Sequence, residues 1–429
     1  MSTQVRNTRD FYLENLTLRT AVTTVDIRLT SIEISYQEDI FKNSCHGYVM
    51  MAEGAGYVES LKLSGGETLQ LILGKTGSSD KITKNFTVYK IDKRKSTGNR
   101  QSESYLLYFC TREMIYSERV KVNTSYSEPI SITDIVSDIC ETYLGTSIVR
   151  SRNTYGNYNF VIPNLTPFDA INWLSNYARP EPPYVGADFV FFENKDGFNF
   201  LPLQAMINPG SSDCKEYGQY SFNPSNIDTK DFQMQSQTAL TYEILSSYDT
   251  LRGLASGAFA NRLISVDILT RKKKETKFNY LDYFEEVGGS GAILNDYAIK
   301  APSFDVGDPM LKMVFSNFDQ ENNSVVQARP GSVATNINAE TYIPYRTAQL
   351  SLINYQRIKL SVPGDPNLSV GYVTRFYLQS KNPGQTEQDA YYSGRFLITA
   401  IRHLITQSSY TTVMEIAKES VTEPYKDPV

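Results

Sequence analysis

The chain has 429 residues, 41% of them hydrophobic and 21% charged, with 42 Lys and Arg against 47 Asp and Glu for a net charge of −5. That length accommodates about three domains, each able to bury a core of its own, and the acidic balance argues against general nucleic-acid binding without excluding a surface that DNA merely passes. No apolar run approaches the roughly 18 residues of a membrane-crossing helix, and the start lacks a signal-peptide core, so synthesis and folding in a cytosol are expected.

In chain order, Val25, Ile27 and Leu29 alternate, followed by Ile32, Ile34 and Tyr36 with the phase slipping at Thr30 and Ser31. Period-two alternation marks a half-buried strand, and a one-residue slip marks a bulge or barrel corner. A turn at Gly65 and Gly66 leads into Glu67 and the strand Leu69, Leu71, Leu73. Phe86 to Ile91, a polar turn around Gly98 and Asn99, and Tyr105 to Phe109 then form a hairpin.

Past Arg112 the period changes. Ile132, Ile135, Val136, Ile139, Cys140 and Tyr143 fall at helical spacing, with Ser131 and Asp134 as the start and Gly145 as the stop. Thr166 and Pro167 cap a second helix with Ile171, Leu174 and Tyr177 or Ala178 inward, ending before Pro180. Phe189 to Phe192, the turn Asn194 to Gly197, and Phe198 to Leu203 read as a hairpin. A third helical stretch is expected from about Ala239 to Ala255, with Ile244, Tyr248, Leu251 and Leu254 on one stripe, then a strand from Leu263 to Leu269. The basic run Arg271 to Lys274 reads as a solvated strand end. Between Gly288 and Asn338 the Gly, Asn, Ser and Asp content predicts long surface loops.

Towards the end the first pattern returns. Ile358, Leu360 and Val362 alternate, and Pro363 to Pro366 form a turn containing Gly364 and Asp365. Gly371 precedes a strand from Tyr372 through Phe376 and Leu378, and a loop follows at Asn382 to Gly384. Phe396 to Ile401, a polar turn at Gln407 to Ser409 and Tyr410 to Met414 complete the repeat. Both hairpins run from a Phe-led strand to a Tyr-led one, and their tails, Thr111-Arg112-Glu113 and Ala417-Lys418-Glu419, look alike. Any two hairpins share a type, but here the order of elements matches as well.

Chemistry finds little purchase. Leu73-Gly-Lys-Thr-Gly77 resembles the end of a phosphate loop, yet Leu69 stands where the leading glycine is required, and the fragment ends a strand. Gly54-Ala-Gly56 lacks the third glycine of a dinucleotide loop, and Gly288-Gly-Ser-Gly291 has no strand before it. Cys45, Cys110, Cys140 and Cys214 have no metal or disulfide spacing and read as buried small hydrophobes. His46, beside Gly47 in a loop or strand, and His403, late in a hairpin strand, read as structural, and Glu285 and Glu286 are adjacent and would point apart. No catalytic, cofactor-binding or metal residue and no small-molecule substrate is therefore expected. The 30 Tyr suit protein interfaces, although β-propensity alone accounts for such a load.

Three segments carry a resemblance: Thr166 to Ala178 with the aromatic hairpin after it, Val362 to Val373, and Ser393 to His403 with Tyr410 to Ile416. Their order is similar to that in baseplate hub proteins of contractile-tailed, T-even-like bacteriophages, a family related to phage late-control tail proteins and type VI secretion spike hubs. The resemblance spans most of the chain. It implies a mainly β, α+β protein with two similar β-barrel tube domains and a mixed α/β middle domain. The expected limits are 1–112 for the first barrel, 113–225 with 256–340 for the middle domain, 226–255 with 341–420 for the second barrel, and 421–429 as a tail.

It further implies a structural homotrimer in the virion tail baseplate, assembled in the host cytoplasm. Six similar barrels would form a pseudo-six-fold ring between the tail tube protein and the central spike protein, flanked by baseplate wedge proteins, with DNA as passing cargo during genome ejection. Gly65, Gly66, Glu67, Gly364, Asp365 and Gly371 are the turn residues nominated to keep the two barrels alike. The competing readings are the hub of another contractile injection system and a carboxylate-based cell-wall hydrolase.

Overall fold

The computed structural model describes residues 8–96, 102–223, 231–247, 249–266, 271–289, 291–300, 307, 310–315, 339–381 and 388–424. Thirteen strands join in one sheet. In chain order they are β1 (Phe11–Arg19), β2 (Thr24–Asp26), β3 (Ser31–Asp39), β4 (His46–Glu53), β5 (Thr68–Lys75), β6 (Lys81–Ser96) and β7 (Glu103–Cys110), then β8 (Glu216–Ser221), β9 (Thr241–Ser246), β10 (Gln356–Pro363), β11 (Val373–Tyr377), β12 (Gly394–Thr406) and β13 (Tyr410–Lys418). The sheet runs β9-β10-β13-β12-β3-β4-β7-β6-β5-β1-β2, with β11 also on β12 and β8 on β11.

Alternation makes these strands: β5 buries Leu69, Leu71 and Leu73, β7 buries Tyr105, Leu107 and Phe109, and β10 buries Ile358, Leu360 and Val362. One face of each strand thus meets a core, and the intervening residues lie outward or half-buried.

The two ends of the chain build the same strand order. β5-β6-β7-β4-β3 in the first unit corresponds to β11-β12-β13-β10-β9 in the second, and every pairing in both series is antiparallel. Even an irregularity coincides: β6 shifts register between Val88 and Lys90, and β12 between Ile398 and Ala400, each two residues past its Phe86 or Phe396. Equivalence stops at the next strand, where β1 is antiparallel to β5 and β8 is parallel to β11.

These registers correct two details of the sequence alignment. The counterpart of β10 is β4, whereas the run at Ile32 to Tyr36 belongs to β3 and matches β9. Val88 lies opposite Phe109 and Ile398 opposite Ile416, so Phe109 matches Ile416, Cys110 matches Ala417 and Tyr105 does not match Tyr410. Tyrosines leading both strands are a coincidence of composition.

The mainly β, α+β class holds, but strand pairing traces no closed barrel among the described residues. The reason is the length of β12. Its first part pairs with β11 from Gly394 to Leu397, and its remainder runs on to pair with β3 from Ala400 to Thr406. A strand that outlasts its neighbour exposes backbone donors and acceptors, and here the first unit supplies them with partners.

Between the units, helix Ile132–Ile139 starts at Ser131, whose hydroxyl accepts from Asp134 N at 3.1 Å, and runs through a π turn to Gly145 in the left-handed region. Thr166 caps helix Pro167–Ser175 through Asp169 N at 3.2 Å. Both pack on the hairpin Phe189–Asn194 and Gly197–Pro202, where Phe168, Phe191 and Phe198 form one aromatic cluster.

The expected helix from Ala239 is overturned. Residues Thr241–Ser246 are β9, paired with β10 from Thr241 opposite Ser361, and only Thr250–Ser256 is helical. Tyr-Glu-Ile-Leu suits either period, and the open edge of β10 decides for strand. Tyr248 lies outside the described residues.

A smaller sheet joins Ala260–Val266 to Lys273–Asn279 and, in parallel, to Met310–Phe315. The expected strand therefore begins at Ala260, and residues 267–270 are outside the described residues. Lys274, at the exposed strand end, reaches Glu340 at 2.6 Å. The expectation of loops from Gly288 to Asn338 is corrected in part, because Met310–Phe315 pairs with a distant strand and Tyr297–Ala298 pairs with Ser420–Val421. The stretch 316–338, the turn at Gly98 and Asn99, the loop at Asn382 to Gly384 and residues 425–429 lie outside the described residues.

Candidate functional site: the junction of the two strand units

The junction is built on the β3 and β12 pairing, in which Tyr36 stands opposite His403 and Gln37 opposite Arg402. Tyr36 and His403 stack with ring centroids 5.6 Å apart, and the His403 Nδ1 shares a 2.7 Å hydrogen bond with the Tyr410 hydroxyl. Tyr36 also meets Phe86, which lies 4.5 Å from Phe109, so aromatic contact runs from the first core across the junction. Ile405 and Tyr410, paired across β12 and β13 next to their turn, are members of the first unit's core. Gly47 makes the seam possible: a Cβ there would stand 2.7 Å from the Phe109 ring and 1.9 Å from Ser35 O.

His403 is fully buried, and burial, with Lys195 adding to it, holds its pKa down to about 3. It is a neutral core group across the ordinary range of pH. His46 opens β4 opposite Cys110, and burial lowers its pKa too. Of the cysteines, Cys45, Cys110 and Cys140 are buried as expected, while Cys214 is half-buried beside the Arg395 guanidinium. Burial pushes the Cys110 thiol up to about 11 and the Cys140 thiol up to about 12, which leaves little thiolate at neutral pH.

Polar groups lock the same junction. Glu38 on β3 accepts from the Tyr36 hydroxyl at 2.6 Å, Ser369 Oγ at 2.5 Å and Val370 N at 3.1 Å, tying the first unit to the loop before β11. Burial raises the Glu38 pKa, although its three donors favour the carboxylate. Lys84 on β6 donates to Glu193 Oε1 at 2.8 Å and Asn194 O at 2.7 Å, and Cys45 N donates to Glu193 Oε2 at 2.9 Å. Burial works against the Lys84 ammonium, but Cys45 and Glu193 beside it more than offset that, and its pKa is raised. Near the surface, Arg402 donates to Ser35 Oγ and to the Tyr48 hydroxyl, both at 2.8 Å. None of these charged partners was nominated from the sequence. Their separations of 109 and 331 residues carry no local signal.

The nominated turns occupy corresponding connections, β4 to β5 and β10 to β11, but they hold shape by different means. Gly65 and Gly66 have φ of 95° and 97°, and the buried Glu67 carboxylate accepts from Ser64 N at 2.8 Å and Gly65 N at 3.1 Å. Gly364 has no left-handed backbone, and glycine is needed there because a Cβ would lie 2.1 Å from the Tyr410 ring. Asp365 accepts from Asn367 N at 2.9 Å and the Tyr217 hydroxyl at 3.0 Å. Gly371, with φ of 76°, sits against Phe192 of the middle hairpin. Glu285 and Glu286 are both exposed on helix Tyr280–Gly289. The fragment Leu73 to Gly77 ends β5, with Gly74 packed under the Tyr12 ring.

This two-unit sheet with a helical insert recurs among solved structures. A tail protein from Neisseria meningitidis MC58 aligns over 94% of this chain and 96% of its own with a TM-score of 0.55 at 8% identity. The 43 kDa tail protein of prophage MuSo2 from Shewanella oneidensis aligns over 94% and 98% with a TM-score of 0.56 at 9% identity. The chain shares its fold with these two tail proteins. In sequence, the chain is similar to the probable baseplate hub protein gp334 of Vibrio phage KVP40, 21% identical over 396 residues that cover 87% of this chain and 86% of the relative. No family model matches the chain.

Proposed function

We propose that this protein is a structural baseplate hub of a contractile phage tail. In this reading it is a homotrimer whose two strand units per chain make a pseudo-six-fold ring between a six-fold tail tube and a three-fold central spike, with DNA passing through. The observation that carries the reading is the repeated strand order: five strands in each unit share order, direction and a bulge position, so three chains offer six similar surfaces to a six-fold neighbour. The likeness to a hub protein over most of both chains supports it. The turns at Gly65 and Gly66 and at Gly364 and Asp365 are then the places where the two units keep a common outline. The partners are the tube, spike and wedge proteins, the site of action is the virion tail baseplate after assembly in the host cytoplasm, and the role is not enzymatic.

Light scattering behind size exclusion, with and without a co-expressed spike protein, tests the trimer; a trimer is expected in at least one preparation, and a strict monomer in both overturns the ring. Hydrolysis of cell wall by the purified chain would overturn the structural role. Binding to the tube of a contractile injection system other than a phage would move the reading to that alternative.

A further inference from the structure

The junction inside the chain has an unused twin. β3 meets β12 on the flank that β3 turns away from β4 and that β12 turns away from β13. By the strand correspondence, β9 stands to β10 as β3 stands to β4, and β6 stands to β7 as β12 stands to β13. The matching flank of β9 has no strand on it among the described residues. The matching flank of β6 is covered by β5 only through Thr87, with a last backbone exchange at Val88, so among the described residues Tyr89 to Lys95 continue without a strand partner there.

These two flanks lie at opposite ends of the run β9-β10-β13-β12-β3-β4-β7-β6 and do not pair with each other within the chain. We infer that β9 of one copy pairs antiparallel with Tyr89 to Lys95 of β6 in a second copy, repeating between chains the contact that β3 and β12 make within one. This inference rests on the ring reading above and names the surface that closes the ring. One edge meeting a different edge is a heterologous contact, which gives a ring where its rotation closes and an open filament where it does not, but never a two-fold pair.

The side chains fit the role. Ile244 and Leu245 on β9 are 40% and 39% exposed, and Tyr89 on β6 is 49% exposed, a tract of apolar area at two edges that would otherwise invite indiscriminate pairing. The registers also transfer. In β3 and β12, Tyr36 faces His403 and Ser35 faces Leu404. Their counterparts are Ile244 and Glu243 on β9, matched through β10 and β13, and Lys93 and Arg94 on β6, matched through the shared bulge. Ile244 therefore faces Lys93 and Glu243 faces Arg94. An additional register shift between Asp92 and Lys95 in β6 moves this by one residue at most, to Lys95. Either way the β9 carboxylate meets the basic end of β6, a favourable cross-strand pair.

Cysteine pairs test this directly in the full chain. Glu243→Cys combined with Arg94→Cys, and separately with Lys95→Cys, should give disulfide-linked species up to a trimer and no larger on a non-reducing gel after mild oxidation, in at least one of the two combinations. With the half-buried Cys214 replaced by Ser in every variant, each single variant should stay uncrosslinked, because Cys45, Cys110 and Cys140 are buried. Two combinations guard against one that misfolds, which circular dichroism would reveal. A trimer by light scattering with neither combination crosslinking removes this surface and leaves the ring reading standing. A monomer throughout removes the ring reading, and this surface with it.

Discussion

Lys84 Nζ sits 2.8 Å from Glu193 Oε1, joining the sixth strand of the first unit to the tip of the middle hairpin in a site where both side chains are nearly sealed from water. Two ions so placed attract strongly only because each has its partner and its remaining hydrogen bonds; alone, either would be a stranded charge. Lys84→Met therefore removes more than one ion pair. It should lower stability against guanidinium by about 3–5 kcal/mol, and adding Glu193→Gln should return part of the loss. A single variant within about 0.5 kcal/mol of the parent, the size of an exposed pair, would show that water already reaches this site.

Gly364 and Gly145 are both glycines at turns, yet their requirements differ in kind. A methyl at position 364 runs into the Tyr410 ring at 2.1 Å, whereas at Gly145, with φ of 66°, there is nothing within 4 Å. Gly364→Ala should cost about 1–3 kcal/mol by overpacking and should weaken the packing of Tyr410 against His403, visible in the near-ultraviolet signal of tyrosine. Gly145→Ala should cost about 1 kcal/mol, from backbone strain alone, with that signal unchanged. Equal effects of the two variants on the signal would contradict the distinction.

Lys418 is fully buried, donates to Ser393 O at 2.7 Å and lies 4.6 Å above the Phe396 ring. Burial lowers its pKa from 10.5 to about 7. Between those values the unfolded chain holds the proton and the folded chain releases it, so stability gained from this group is fully present above the unfolded value and is lost as pH falls towards 7. The parent should gain up to about 1.4 kcal/mol per pH unit from this residue above neutrality. Unfolding midpoints at several pH values from neutral to mildly alkaline should rise more steeply in the parent than in Lys418→Met. Parallel curves would mean that Lys418 keeps its proton when buried.

Much of the fold was legible because its signals are local. The alternation in Leu69, Leu71 and Leu73 and in Ile358, Leu360 and Val362 needs only neighbouring residues, and the caps Ser131 and Thr166 announce their helices within one turn. The repeat, too, could be read from the order of hairpins. Where two periods fit equally well, local reading failed: Thr241 to Ser246 became a strand because β10, more than a hundred residues further on, presented an edge to it.

Adjacent residues alone specify a β-rich chain that repeats a hairpin unit around a helical insert, because hydrophobic period and capping chemistry are local properties. How the repeats meet depends on contacts between residues far apart in the chain. A strand as long as β12 could have ended its unit or bridged to another, and it bridges because β3 satisfies its backbone while Tyr36 and His403 bury their rings together. The same holds for Glu38, Lys84 and Glu193. A buried charge is tolerated only where its partners converge in space, and that convergence appears nowhere along the chain.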